Sequence, residues 1–481
     1  MKVTLKRRKV VIVGGGITGL TTAYYLQQQA MEQNLPLEIV LIESSLRLGG
    51  KIHTVRKNSY TIERGPESFF DTGSSVRSLA HDLNIEHKII QNNNGRTFIA
   101  IGNKLHPIPS NLLLGGSPKI LSVLTSNFLS LSGKIRAAAD LILPSNAHES
   151  DEPIGEFFRR RFGKELVENL VEPVLAGTFA GDVDHVSMHA MFPQFYQLEK
   201  DYRSLLVGMK KTGRGIYALV DTPGEIHYES FEGGLETVIE ALEASLTNIT
   251  ILKGLKVDLI ENNADLTPQM YLNDGTSIQA DQVVVTTPFN ITKSILRDSE
   301  TLYQMKKMNY ATIATVTLAF DQKVMQKYED ALNFFVSRNS DFAITTCTWS
   351  NRKFDHVAPE GHELLRVYIG RVGDESIVEL SDNEIEKIVL QDLEKAIGLN
   401  DKPSLIVVAR WKEAMPQYTM GHEQRMHAMK EQFSQEFPNV LLTGSSYEGI
   451  SIPDCVTQGK ETAQQVISQL SQEDMKNLLV N

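Results

Sequence analysis

Val10-Val11-Ile12-Val13 is a short unbroken apolar run, the pattern of a strand buried on both faces. Glycines follow it. From Ile17 to about Met31, apolar Leu20, Ala23, Tyr24 and Leu26 then make an imperfect helical face. Asn34 and Pro36 stop that helix, and Leu37 to Ile42 is a second apolar strand ending at Glu43. Strand, helix and strand have the length of one crossover unit, roughly thirty residues. Further along, the pattern predicts helix over 110–143 and two helices over 150–172 with Gly163 between them. A strand then runs from Tyr228 into a Gly233-Gly234 turn, with helix over 235–246 and a strand region over 249–259. Met270-Tyr271-Leu272 and Gln282–Val285 read as strands around an Asn273-Asp274-Gly275 turn. Alternation over 310–320, 332–349 and 363–371 predicts an antiparallel sheet. A helix over 384–397, strands over 405–410 and 440–442, and a last helix over 454–470 complete the chain.

Composition narrows the class. The chain has 481 residues, 41% hydrophobic and 22% charged, near the globular average, which excludes wholesale disorder and a disulfide scaffold. With 48 Lys and Arg against 59 Asp and Glu the net charge is −11, so nucleic acid is not an expected partner. Cys347 and Cys455 permit one disulfide, but such sparse use suits a reducing compartment at least as well, and a cytoplasmic protein is expected. No apolar run reaches the roughly 18–20 residues that a transmembrane segment needs. The stretch 120–133 is free of charge. It reads as buried helix lining a second domain, or else as a channel wall or a surface for weak membrane contact.

The first crossover carries the chemistry. Gly14-Gly15-Gly16-Ile17-Thr18-Gly19 follows a strand and opens a helix. Its first glycine permits the tight turn, the next admits a pyrophosphate to the backbone, and the last permits close helix–strand packing. The helix start offers unpaired N–H groups to phosphate. Glu43 stands 24 residues past Gly19, where a carboxylate can accept bonds from ribose hydroxyls. Arg47, Gly49, Gly50 and Lys51 add a second glycine pair with cations able to neutralise a pyrophosphate. That extension points to the flavoprotein version of the motif, and FAD is the expected cofactor. Gly65-Pro66-Glu67-Ser68 would bring backbone amides to a flat ring. Ile450-Ser451-Ile452, before a helix start, would aim N–H groups at its pyrimidine edge.

Together with Tyr447 to Cys455, these motifs resemble the bacterial FAD-dependent porphyrinogen oxidases of the amine oxidase superfamily, over essentially the whole chain. The resemblance implies an α/β fold: a Rossmann-like FAD-binding domain with an α+β substrate domain and a helical subdomain, the amine oxidase / p-hydroxybenzoate hydroxylase-like architecture. On that pattern residues 1–75, 226–290 and 404–481 form the FAD-binding domain, 76–107 and 291–403 the substrate domain, and 108–225 the helical subdomain. The implied FAD contacts are Gly14 to Gly19, Glu43, Ser44, Lys51, Gly65 to Ser68, Val257, Trp411 and Ile450 to Ile452, and Tyr368 resembles an aromatic position on the substrate side.

The implied reaction is six-electron, oxygen-dependent oxidation of coproporphyrinogen III to coproporphyrin III with release of hydrogen peroxide, in haem biosynthesis. Protoporphyrinogen IX is the alternative substrate, and a porphyrin-accepting chelatase is a partner by pathway analogy. More distant readings are another amine oxidase or desaturase, and a flavin-free binding protein like the GDP-dissociation inhibitors. No catalytic base and no metal site is assigned. Arg366, Arg371, Lys307 and Lys353 are the cations considered for substrate propionates. The basic residue that several relatives carry after the Gly-Pro segment is missing from Phe69-Phe70-Asp71-Thr72-Gly73.

Overall fold

The Val10–Val13 run lies at the centre of a five-stranded parallel sheet. The computed structural model describes residues 7–71, 73–109, 126–146, 150–212, 227–322, 324 and 328–480. Strand β1 (Arg8–Val13) is followed by helix α1 (Ile17–Glu32) and strand β2 (Leu37–Glu43), as the apolar pattern predicts. The strand order is Val440–Leu442, Gln282–Val285, β1, β2, Ile249–Lys253. Val13 lies beside Ile42 and Val285, and Val285 beside Leu442, so the carboxyl ends of four strands share one edge. Ligands of open parallel sheets bind off that edge. Helix α1 is buried from Ile17 through Gln27, because the helix Ile452–Val480 packs along its outer side. This enclosure explains the imperfect helical face, since a helix covered on both sides needs no polar stripe.

A seven-stranded mixed sheet forms the second layer, in the order Leu405–Pro416, Tyr310–Phe320, Glu363–Ile369, Ile344–Trp349, Ala331–Val336, Arg96–Ile101, Lys104–Ile108. Its outer face is covered by the helix Asp382–Ile397, which Ser381 and Glu384 start with a reciprocal capping box. Helices between Leu131 and Thr212 pack through Phe157, Phe158, Leu170, Val174 and Phe195 against Ile99 and Phe335 of the sheet. A buried ionic group, Arg161 with Asp140 and Glu199, ties these helices together.

Several elements differ from the sequence reading. The predicted strand over 249–259 is two strands, Ile249–Lys253 and Val257–Asn262, in different sheets. Gly254, at φ +74°, makes the corner. The hairpin around Asn273-Asp274-Gly275 pairs Pro268–Leu272 with Ser277–Gln279, while Gln282–Val285 passes into the parallel sheet. The strand at 405 runs on to Pro416 and pairs with Tyr310–Phe320, so the chain re-enters the parallel sheet only at Val440. The helix Ser75–Asp82, expected with the substrate pieces, packs through Val76, Leu79 and Ala80 on the core around α1. Helix past Gly163 continues through a π-turn at Val167–Val171 to Phe179, and the last helix continues to Val480. Of the helix expected over 110–143, residues 110–125 lie outside the described residues, and Leu131–Ala138 is helical. In each case a short apolar run announces burial but not its partner.

Candidate functional site

Gly14, at φ +111°, turns the chain off β1, and its carbonyl accepts from Thr286 Oγ1 at 3.0 Å. The Gly15 N–H donates to Glu43 Oε2 at 2.7 Å, so the carboxylate closing β2 already faces the loop. Ser45 N–H (2.8 Å) and Ser44 Oγ (3.3 Å) hold its other oxygen. A Cβ on Gly16 would meet nothing within 4 Å, which leaves the backbone open to a ligand. On Gly19 it would stand 2.0 Å from the Gly14 carbonyl oxygen, so that helix–loop contact requires glycine. Gly16 caps α1, and the first turn, including Ile17 and Thr18, contains no acidic residue. Its positive dipole end is therefore uncompensated, as an anion site requires.

The second glycine pair rests on the first. Gly49 N–H donates to Gly15 O at 2.8 Å, and Gly50 sits against the Gly16 Cα. The two cations divide their roles. Arg47 spends its guanidinium on the carbonyls of Leu48, Gly50 and Ile52, which shapes the turn. Lys51 is half-buried as a residue, but its ammonium is enclosed, 3.4 Å from Ser445 Oγ, and burial draws its pKa down from the usual lysine value. An enclosed ammonium with one long neutral contact calls for an anion. Open glycines, an uncompensated helix start, a ribose-height carboxylate and this cation together fit an adenine dinucleotide. Lys51→Met is expected to keep the fold and to weaken FAD retention about tenfold to a hundredfold, the cost of one charge-assisted contact. The flavin-to-protein absorbance ratio after gel filtration measures it.

Val257 opens its strand beside this site, because Gly254 N–H bonds Ser45 O and Leu255 N–H bonds Glu43 O. On the opposite side the Gly65-Pro66 turn is gripped by the seven-stranded sheet. Trp411 Nε1 donates to the Arg64 carbonyl at 2.6 Å, and Thr315 Oγ1 adds a bond at 3.1 Å. Arg366 donates to the Gly65 carbonyl. Lys353 Nζ lies 3.2 Å from Glu67 and 2.9 Å from Ser68 Oγ, and Ser350 also bonds Glu67. Burial alone would raise the Glu67 carboxyl, but Lys353 and Arg366 outweigh it and hold Glu67 below the usual range. Tyr368 and Trp411 join Val372 and Met415 in an apolar wall around Ala180, Ala311 and Ile313.

The returning strand Val440–Leu442 delivers the last segment. Gly444 N–H donates to Gln458 Oε1 at 2.9 Å, and Tyr418 Oη donates to Ser445 O at 2.8 Å. Ser451 and Asp454 cap the helix that opens at Ile452: Asp454 Oδ2 accepts from Ser451 N–H, and Asp454 N–H donates to Ser451 Oγ. Ile450 lines an apolar slot with Leu175, Phe179, Val183, Phe192 and Tyr418.

The Gly65 turn and the Ser445 segment thus meet at Lys51, beside the glycine loops. Sequence reasoning missed Thr286, Arg64 and Gln458, and gave Arg366 only a rim role. One signal for Arg366 was available: a lone charge inside the apolar run Leu364-Leu365-Arg366-Val367, past Glu363 at the start of the strand. No group of metal-holding side chains occurs among the described residues.

Such a crossover, with a second glycine pair and a returning strand that closes the cleft, defines a flavin-dependent oxidoreductase of the two-sheet type. The chain matches the model of the flavin containing amine oxidoreductases over residues 17–467 and belongs to that family; FAD is its cofactor. It is 44% identical over 467 residues to the coproporphyrinogen III oxidase of Bacillus subtilis (strain 168), covering 96% of this chain and 99% of that protein. The coproporphyrinogen III oxidase of Staphylococcus aureus (strain NCTC 8325 / PS 47) is 36% identical over 469 residues, covering 96% and 100%. The crystal structure of a candidate protoporphyrinogen oxidase from Exiguobacterium sp. 255-15 superposes with a TM-score of 0.85 at 34% identity, covering 96% and 99%.

Proposed function

We propose that this chain oxidises coproporphyrinogen III to coproporphyrin III in haem biosynthesis, with dioxygen as the final acceptor and hydrogen peroxide released. The observation that carries the reading is the flavin-type crossover in a chain 44% identical, over 96% of its length, to the Bacillus subtilis coproporphyrinogen III oxidase; an apolar slot at Ile450 and the Trp411–Tyr368 wall are compatible with it. The slot has room for only about 10 Å³, so it supplies an apolar lining beside the wall and not a finished macrocycle pocket, and the activity named for the Bacillus subtilis relative chooses the substrate.

Gly14 to Gly19, Glu43, Ser44, Lys51, Gly65 to Ser68, Val257, Trp411 and Ile450 to Ile452 would hold FAD, with Arg47 shaping the loop. When bound, FAD supplies a two-electron sink, used three times per macrocycle. The protein orients the substrate and excludes water. Trp411, anchored through Arg64, and Tyr368 form one wall, and the helix ending at Phe179 forms another. Two of the cations considered for propionates are already committed, because Arg366 is 1% exposed and Lys353 is buried on Glu67. Arg371 is likewise paired with Glu172 and Asp374, which leaves exposed Lys307 for the rim.

Two buried free cysteines support action in the cytoplasm. No helix among the described residues is long and apolar enough to cross a membrane. Exposed Leu131, Ile135 and Ile142 support weak contact with a membrane surface. Flavin-saturated protein is expected to turn over coproporphyrinogen III at least about tenfold more efficiently than protoporphyrinogen IX, a transition-state difference of about 1.4 kcal/mol. Porphyrin fluorescence and peroxide yield measure it. The reverse preference would assign protoporphyrinogen IX, and product formation without dioxygen would remove oxygen from the scheme.

A further inference from the structure

Behind the Gly65-Pro66 turn lies an enclosed chamber lined by Glu63, Glu67, Ser230, Ser350, His356 and Arg366. The space open to a water-sized sphere is about 10 Å³, close to the room one water needs. Arg366 is 1% exposed, and its Nε and Nη1 have no hydrogen-bond partner; neither has Nε2 of His356. Ile62, Phe354, Val357 and Leu364 also line the chamber, but leaving such donors dry is costly, and they and the Glu63 carboxyl supply the polar partners an ordered water needs. Glu63, 6% exposed, accepts from Leu235 N–H at 2.6 Å and from Thr54 Oγ1 at 2.9 Å.

We propose that the chamber holds one water joining Arg366 and His356 to Glu63, and that the Glu63 carboxyl is a proton store answering flavin reduction. Where it starts ionised, Glu63 takes up one proton from solvent for each electron pair entering the ring and returns it on reoxidation. The proposal rests on the reading that Gly65 to Ser68 border the flavin. Two electrons and one proton reduce the ring. The second proton enters past half-buried His356 and the water to Glu63, and no further reactant is consumed.

Two carboxyls lie in the chamber, and the geometry chooses between them. Glu67 is pinned as an anion by Lys353 and bonded by Ser350. Glu63 touches no cation directly; its field comes from Arg366, which favours the anion, and Glu67, which opposes it. On its other side Glu236 bonds the Thr54 N–H, and His356 is kept neutral by burial. Burial pushes Glu63 up to about 7, so one added negative charge nearby decides its state at neutrality. Arg366 reaches the turn itself, bonding the Gly65 carbonyl and lying 4.7 Å over the Tyr368 ring.

FAD-loaded protein, photoreduced without porphyrinogen about one to one and a half pH units above the Glu63 value of about 7, where the carboxyl starts ionised, tests the proposal. The slope of the flavin midpoint potential against pH is expected to report two protons per electron pair in the wild type and one in Glu63→Gln, a twofold change. A reduced-minus-oxidised infrared spectrum of the wild type, which needs no variant, should gain one protonated-carboxyl band. A Glu63→Gln protein that still takes up two protons, or a wild type that gains no band, overturns the proposal alone. Protein that binds no FAD overturns the site reading as well.

Discussion

Gly65→Ala is expected to yield protein that retains less than about a tenth of the wild-type flavin, with stability lowered by about 3 kcal/mol. A Cβ at this position would stand 1.7 Å from the Lys51 carbonyl oxygen and 2.9 Å from the Lys51 carbonyl carbon. Both are backbone atoms, so no side-chain rotation relieves the overlap. Either the Gly65-Pro66 turn leaves the sheet, or the turn bearing Lys51 moves. The first course strains the bonds from Trp411 to the Arg64 carbonyl and from Arg366 to the Gly65 carbonyl. The second displaces the enclosed ammonium from the anion site. Gly73, later in the same loop, is the control: a Cβ there meets nothing within 4 Å, and Gly73→Ala should change stability by no more than about 0.5 kcal/mol. Flavin absorbance per chain and thermal melting distinguish the two variants. Full flavin and an unchanged melting point in Gly65→Ala would show that the turn does not sit as described.

Lys353→Met is expected to destabilise the protein by about 3–5 kcal/mol, the cost of stranding one member of a buried ion pair. The side chains of Lys353 and Glu67 are only 10% and 9% exposed, so water cannot replace the missing partner. The ammonium also lies 4.2 Å over the Tyr228 ring and bonds Ser68, and both contacts go with it. Arg366 and Ser350 remain beside Glu67 and keep the loss at the lower end of that range. The double variant Lys353→Met with Glu67→Gln should recover part of the deficit, since no unpaired charge remains.

The pH dependence has a definite sign. Glu67 is held below its unfolded pKa, so its contribution is complete above the unfolded value of about 4.3 and is lost as pH falls through the folded value. The gap between wild type and Lys353→Met in urea midpoints should therefore narrow below about pH 4.3. A gap that stays constant into acid would show that the loss is one of packing and not of charge.

The first crossover was legible because its information is local. An apolar run, three glycines at fixed spacing and a carboxylate at the next strand end are all set by neighbouring residues, and the cofactor class followed from them. The glycines at 14, 16 and 19 each meet the need their spacing implied: a positive φ, an open face and a backbone contact. Partnership was not legible. The sequence reads as a short strand only over 405–410, and only the pairing of Leu405–Pro416 with Tyr310–Phe320 brings Trp411 to the Arg64 carbonyl, 347 residues away in sequence. Lys353 and Arg366 read as cations for substrate propionates until the fold brings Glu67 to the first and the Gly65 carbonyl to the second. Backbone preference is written in adjacent side chains. The worth of a charge depends on the solvent it loses and the partner it meets, and both are set only when distant strands close over it.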